Sequence, residues 1–167
     1  MSYTLYAALV PTSIHILGNL AKNLDKAATH AAEQDLDPAT LVNARLAPDM
    51  FPLSRQVQIA CDMVKKAVGR LTAGDPPAFE DTETTLAELQ TRIAKTIDYI
   101  KSVPESAYVG TEERALKIPM GPEILLDFTG QNYVNQWVLP NFYFHVTTAY
   151  DLMRSHGVAL GKRDFLG

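Results

Sequence analysis

A histidine and an amide stand one helical turn apart in the stretch LPNFYFHVTTAYDLM, Leu139 to Met153. Asn141, His145, Thr148 and Leu152 recur at three- and four-residue steps, which stacks them along one side of a helix. Val138, Phe142, Ala149 and Met153 make an apolar row beside them. The imidazole therefore points with the core-facing side. Histidine there can accept or give a proton near neutral pH, and its neutral ring nitrogen is a common metal ligand. Three roles are open for His145: a buried group satisfied by hydrogen bonds to Asn141, Gln56 or a carboxylate, a pocket residue that binds or protonates a small molecule, or a ligand of a divalent metal.

Partners for that histidine are few. Gln56 is the nearest polar residue on an inward-leaning face of an earlier helix. Arg45 and Asp49 stand four apart in RLAPDMFP, where they can pair with each other or reach a ligand at the end of the fold. Tyr143 and Tyr150 carry hydroxyls, although aromatic residues at this spacing more often pack. Trp137, Phe142 and Phe144 read as packing around the same end. His15, His30 and His156 are too widely spread to form an obvious cluster with His145, with helical register alone leaving His15 open to the interior. The candidate catalytic residue is thus His145, and the candidate ligand-binding set is Asn141, Gln56, Asp49, Arg45 and Tyr143. No glycine-rich phosphate loop, nucleophile elbow or His-Glu-x-x-His pair accompanies them.

The rest of the chain limits what such a site could serve. With 167 residues, one domain spanning 1–167 is expected, large enough to bury a core without disulfides. Apolar residues make up 47% and charged ones 20%, a globular balance and not a disordered one. A net charge of −4 offers no basic field for nucleic acid. One cysteine, Cys61, rules out an intramolecular disulfide and a Cys-rich zinc site, and it reads as a small half-buried hydrophobe. No run of about 18 apolar residues suggests a membrane span, and no secretory pattern opens the sequence, so a cytoplasmic setting is expected.

Four amphipathic helices must position these residues. The first runs from about Tyr3 to Gln34, with Ser2 available as its cap and Pro11 set to kink or split it. Asp37-Pro38 opens a short turn through Asn43. The irregular connector RLAPDMFP follows, and its Leu46, Met50 and Phe51 are apolar enough to lie against the fold. Leu53 to Leu71 form the second long helix, with Lys65, Lys66 and Arg70 decorating its end. After Gly74-Asp75-Pro76-Pro77, Asp81 or Thr82 caps a third helix carrying Leu86, Leu89, Ile93, Ile97 and Ile100. The brief connection implies that the second and third helices are antiparallel neighbours. Between Tyr108 and Phe128 two extended runs flank a turn, a small hairpin or ordered loop. Pro140 suits the first turn of the last helix, which His156-Gly157 ends. The tail's Phe165 and Leu166 should dock on the protein or on a second subunit.

These elements make a mainly α four-helix bundle. The motifs RLAPDMFPLSRQ (Arg45 to Gln56) and LPNFYFHVTTAY (Leu139 to Tyr150), with the ending GVALGKRDFLG, resemble a domain-of-unknown-function family of the DinB/YfiT-like superfamily. The resemblance covers nearly the whole chain and implies a four-helix bundle, often a homodimer. Members elsewhere in the superfamily hold a divalent metal with three histidines, one on the second helix and two spaced four apart on the fourth, and some are thiol-dependent transferases or hydrolases. Carried over, the fourth-helix pair falls on Asn141 and His145, and the second helix offers only Gln56. One imidazole and two neutral amides are a poor trap for a transition metal. The expectation is a small-molecule-binding bundle with a polar pocket around His145, its status as an enzyme open. Two alternatives stand beside it: a divalent-metal-dependent transferase or hydrolase, and a structural homodimer without catalysis.

Overall fold

The computed structural model describes residues 4–167, so Ser2 and Tyr3, the expected cap and start of the first helix, lie outside the described residues. The first helix, α1, is Leu5–Glu33, and Thr4 caps it by accepting a hydrogen bond from the Ala7 amide at 3.1 Å. Pro11 does not split it. The ring sits on the exposed side of an uninterrupted helix, while Leu9, Leu17, Leu20, Leu24 and Ala27 fill the core. Asp37 caps the short α2, Pro38–Val42, as the Asp-Pro pair suggests.

The connector before the next helix is irregular, but its apolar residues face the other way from expectation. Phe51 is 53% exposed and Leu46 44%, while Ala44 and Leu53 are buried. Its backbone explains the inversion. Met50 N–H donates to Ala47, Leu53 N–H to Ala44, and the Arg45 guanidinium to the Met50 carbonyl, so the segment closes on itself and turns its larger side chains outward.

Helix α3 is Leu53–Thr72 and α4 is Leu86–Ser102. The cap of α4 is Thr85, not Asp81 or Thr82. Its hydroxyl accepts from the Glu88 amide while the Glu88 carboxylate accepts from the Thr85 amide, a reciprocal capping box. The two helices are parallel, which corrects the antiparallel expectation. Pro76 lies against Gly69, Phe79 against Lys65 and Glu83 against Gln58, so the connector runs back along α3 before α4 begins. Arg92 explains the route. Its side chain is 1% exposed, and Asp62, Asp81 and Glu83 meet it at 3.1, 2.9 and 2.8 Å, the last two from the connector. Lys65 joins this network, buried beside Asp62 at 3.0 Å with its ammonium 3.9 Å from the centre of the Phe79 ring, and does not decorate the surface. Removing the cation from such a group would leave carboxylates uncompensated, at a cost on the order of 3–5 kcal/mol.

Beyond α4, strands β1 (Ala115–Met120) and β2 (Ile124–Thr129) pair antiparallel from Ala115↔Thr129 to Met120↔Ile124, with Gly121 at φ +72° in the turn. This is the expected hairpin. The last long helix begins ten residues before Pro140. Thr129 caps α5, Gly130–Asn132, which continues through a π-helical stretch at Tyr133–Val138 into α6, Leu139–Ser155. Pro140 lacks an N–H for the carbonyl four residues back, and a helix passing through it must widen or break. Here it widens: Leu139 N–H reaches Val134, five residues back. Gly157, at φ +92°, ends α6. The tail folds as α7, Lys162–Leu166, on α1. Phe165 stacks edge-on to Tyr150 and Lys26 pairs with Asp164 at 2.6 Å, while Leu166 stays half exposed.

The long helices form an up-down-down-up bundle. Tyr108 meets Tyr6, and Gln90 donates to the Ala21 carbonyl, so α4 opposes α1. Arg70 donates to Tyr133, and His145 meets Gln56, so α6 opposes α3. Gly130 sets the junction. A β-carbon there would stand 2.0 Å from the Thr111 carbonyl oxygen and 3.2 Å from Leu71. Gly130→Ala is expected to destabilise the fold by about 1–3 kcal/mol through forced backbone displacement, read as a lower midpoint in urea unfolding.

Candidate functional site

The antiparallel pairing of α3 and α6 brings two of the expected residues together. His145 Nδ1 lies 2.7 Å from Gln56 Oε1. Gln56 is buried, and its Nε2 donates to the Phe51 carbonyl at 3.2 Å. That second bond decides the first. A backbone carbonyl only accepts, so the amide nitrogen must face Phe51 and the amide oxygen must face the imidazole. An amide oxygen also only accepts, so Nδ1 carries the hydrogen. Nε2 is left with its lone pair, and among the described residues no hydrogen bond occupies it.

Electrostatics keeps the ring neutral. Burial disfavours the imidazolium, the nearby Arg55 guanidinium repels it, and the His145 pKa is held below its ordinary value of 6.5. The ring of Phe144 stands perpendicular to the imidazole with centres 5.2 Å apart. Phe144 is 58% exposed, so it does not pack the interior as its type suggested. A half-buried neutral histidine with a fixed tautomer can accept a hydrogen bond, or a proton, from a ligand.

The other candidates are placed differently. Asn141 is on the expected side of α6, but its Nδ2 donates to the Trp137 carbonyl at 2.7 Å, within the π-helical stretch. The amide thus serves the widened backbone. Arg45 holds the Met50 carbonyl and does not pair with Asp49, which is exposed. Tyr143 is half-buried with its ring 5.6 Å from Phe142, and two residues along a helix put it about 200° from His145. His15 turns outward, its Nε2 2.5 Å from the Leu166 carbonyl. Cys61 is fully buried, where the expectation was half. Burial pushes its thiol up to about 12, with the Thr96 hydroxyl opposing, so the sulfur is inert at neutral pH.

Arg55 is the site residue that the sequence reading passed over. It precedes Gln56, donates to Gln58 and Asp81, and sets the charge that His145 feels. Its signal was available: Arg55, Ile59, Met63, Lys66 and Arg70 fall at helical spacing along one side of α3, with cations at both ends and apolar residues between. That side lines a groove of about 560 Å³ against the hairpin and Trp137.

Residues 5–166 match the family described as Domain of unknown function (DUF1993). The chain belongs to that family. The DUF1993 chain is also similar to a DinB family member protein from Shewanella denitrificans, whose crystal structure is known at 1.83 Å. The two are 41% identical and superpose with a TM-score of 0.90 over 98% of this chain and 92% of that one. The mainly helical DinB-like fold with a small hairpin is therefore established. No curated protein matches the sequence.

A divalent metal, which the superfamily implies, does not fit the residues present. Gln56 directs its oxygen at an N–H, Asn141 keeps only a neutral amide oxygen, a weak ligand, and His145 Nε2 is the one imidazole nitrogen at the site. Among the described residues no three His, Cys, Asp or Glu side chains come together as such an ion needs.

The depressed pKa carries a sign. An unfolded chain binds a proton at His145 more readily than the folded one, so this group's stability is full above 6.5, declines below it, and is lost as pH falls through the lower folded-state value. Imidazole NMR should find His145 in the Nδ1–H form at pH 7 and titrating below 6.5. Gln56→Glu, which puts an anion on Nδ1, should move the titration above the wild-type value.

Proposed function

We propose that this DUF1993 protein binds a small molecule between α3 and α6 beside His145, with Nε2 accepting a hydrogen bond from a ligand O–H or N–H. Where chemistry follows, the same nitrogen takes the proton as a general base. The observation that carries the reading is the Phe51–Gln56–His145 chain. It spends a buried amide on one imidazole tautomer and leaves the other ring nitrogen unused among the described residues. Histidines whose second nitrogen is held in this way are oriented for use at the first. A library of hydroxy-, amino- and thiol-bearing metabolites, screened by thermal shift, should contain ligands that stabilise wild type. His145→Ala should abolish that response, and an identical response from both proteins counts against the reading.

The competing reading is an interaction face, which the exposure of Phe144 and Phe51 beside the pair favours. A second copy of the chain is then the proposed partner. Light scattering across a dilution series should show a dimer in wild type and a shift toward monomer in Phe144→Ser. A monomer at every concentration sinks this reading.

A further inference from the structure

The stripe along α3 that passes Gln56 leads into a feature with chemistry of its own. The groove of about 560 Å³ is lined on one wall by Arg55, Met63, Lys66 and Arg70 and on the other by the hairpin and Trp137. Arg55 and Arg70 are 15 residues apart, about 22 Å of helix, so the groove is elongated.

Its cations are unequally satisfied. Arg55 pairs with Asp81. Lys66 reaches Asp62 at 2.8 Å, but that carboxylate is shared with Lys65 at 3.0 Å and Arg92 at 3.1 Å. Asp62 is the one acidic side chain on the groove wall, and three cations already divide it. Arg70 meets no carboxylate among the described residues. Its NH1 donates to the Tyr133 hydroxyl at 2.7 Å, and burial raises the pKa of that phenol, so the partner is neutral and leaves the charge uncompensated. A guanidinium has five N–H donors, and this bond orients the fork while using one of them. Between the two ends, Ile59, Met63, Ile118, Pro119 and Trp137 give an apolar floor.

We propose that the groove between α3 and the hairpin binds an organic anion with an extended apolar body. Its carboxylate sits on Arg70 and Lys66, and its body lies along Met63 and Trp137 toward Arg55. The pairing follows from charge-assisted, forked hydrogen bonding at one end and apolar burial along the rest. His145 is not among the lining residues, so this site stands or falls apart from the one beside His145.

Trp137 is the chain's single tryptophan and reports on the groove directly. Decanoate, decanol and decyltrimethylammonium, each titrated below its micellar concentration, should be compared by Trp137 emission. Decanoate should give a saturable change, and the alcohol and the ammonium should bind at least about tenfold more weakly. Arg70→Gln should weaken decanoate by about tenfold or more, and Lys66→Gln, on the exposed side of the helix and safe for folding, should weaken it measurably. His145→Ala should bind decanoate as wild type does. Equal binding of decanol, unaltered decanoate binding in both cation variants, or no saturable change with decanoate would each overturn the proposal.

Discussion

One buried charge organises the bundle. Arg92 is a guanidinium with almost no access to water, and burial alone would drive such a group toward neutrality. Instead its pKa is raised, because the pull of Glu83 and Asp62 outweighs desolvation. Two of its carboxylate partners are on the connector, so that segment cannot loop freely from the end of α3. It is drawn back along α3, clamped at Phe79 between Lys65 and Arg92, and delivers α4 parallel to its predecessor. A short-loop bundle would have placed α4 antiparallel to α3 and changed every neighbour after it.

The site inherits that order. With α4 parallel to α3 and opposed to α1, the remaining flank of α3 is free for α6, running the other way. The middle of α6, which carries His145, then lies beside the start of α3, where Gln56 waits. Gly130 lets the helix approach Thr111 closely enough for this to close. The tautomer of one imidazole thus depends on a chain of constraints that begins about two helices away. Each is local: a salt bridge, a glycine, a carbonyl at Phe51.

Much of this was legible in the sequence, and the rest fails for identifiable reasons. The helices, the hairpin and the Gly157 stop follow from period and punctuation, which are local signals. The Gln56–His145 pairing was within reach because polar residues on apolar faces advertise themselves. Lys65 and Arg92 did not, since a charge on a helix is usually solvated, and only the tertiary fold brings Asp62, Asp81 and Glu83 around them. Leu46 and Phe51 misled in the opposite sense, because backbone bonding within their connector outweighed their own hydrophobicity. Pro140 has the signature of a helix beginning, yet the helix passes through it. Proline at a first turn and proline in a widened helix look alike until the acceptor of the next N–H is known.

That widened turn has a consequence for how the site could change. A π-helical stretch is a helix holding one residue more than its ideal register requires, and Asn141 patches the carbonyl that results. The extra residue is taken up inside Tyr133–Val138, with Arg70 meeting Tyr133 at one end and Gln56 meeting His145 farther along. A strict four-residue ladder through the same residues would turn everything downstream by about 100° and advance it by about 1.5 Å. His145 would then leave Gln56 and point along another face of the bundle. The widened turn thus aims the histidine from a distance, without altering any residue that touches it.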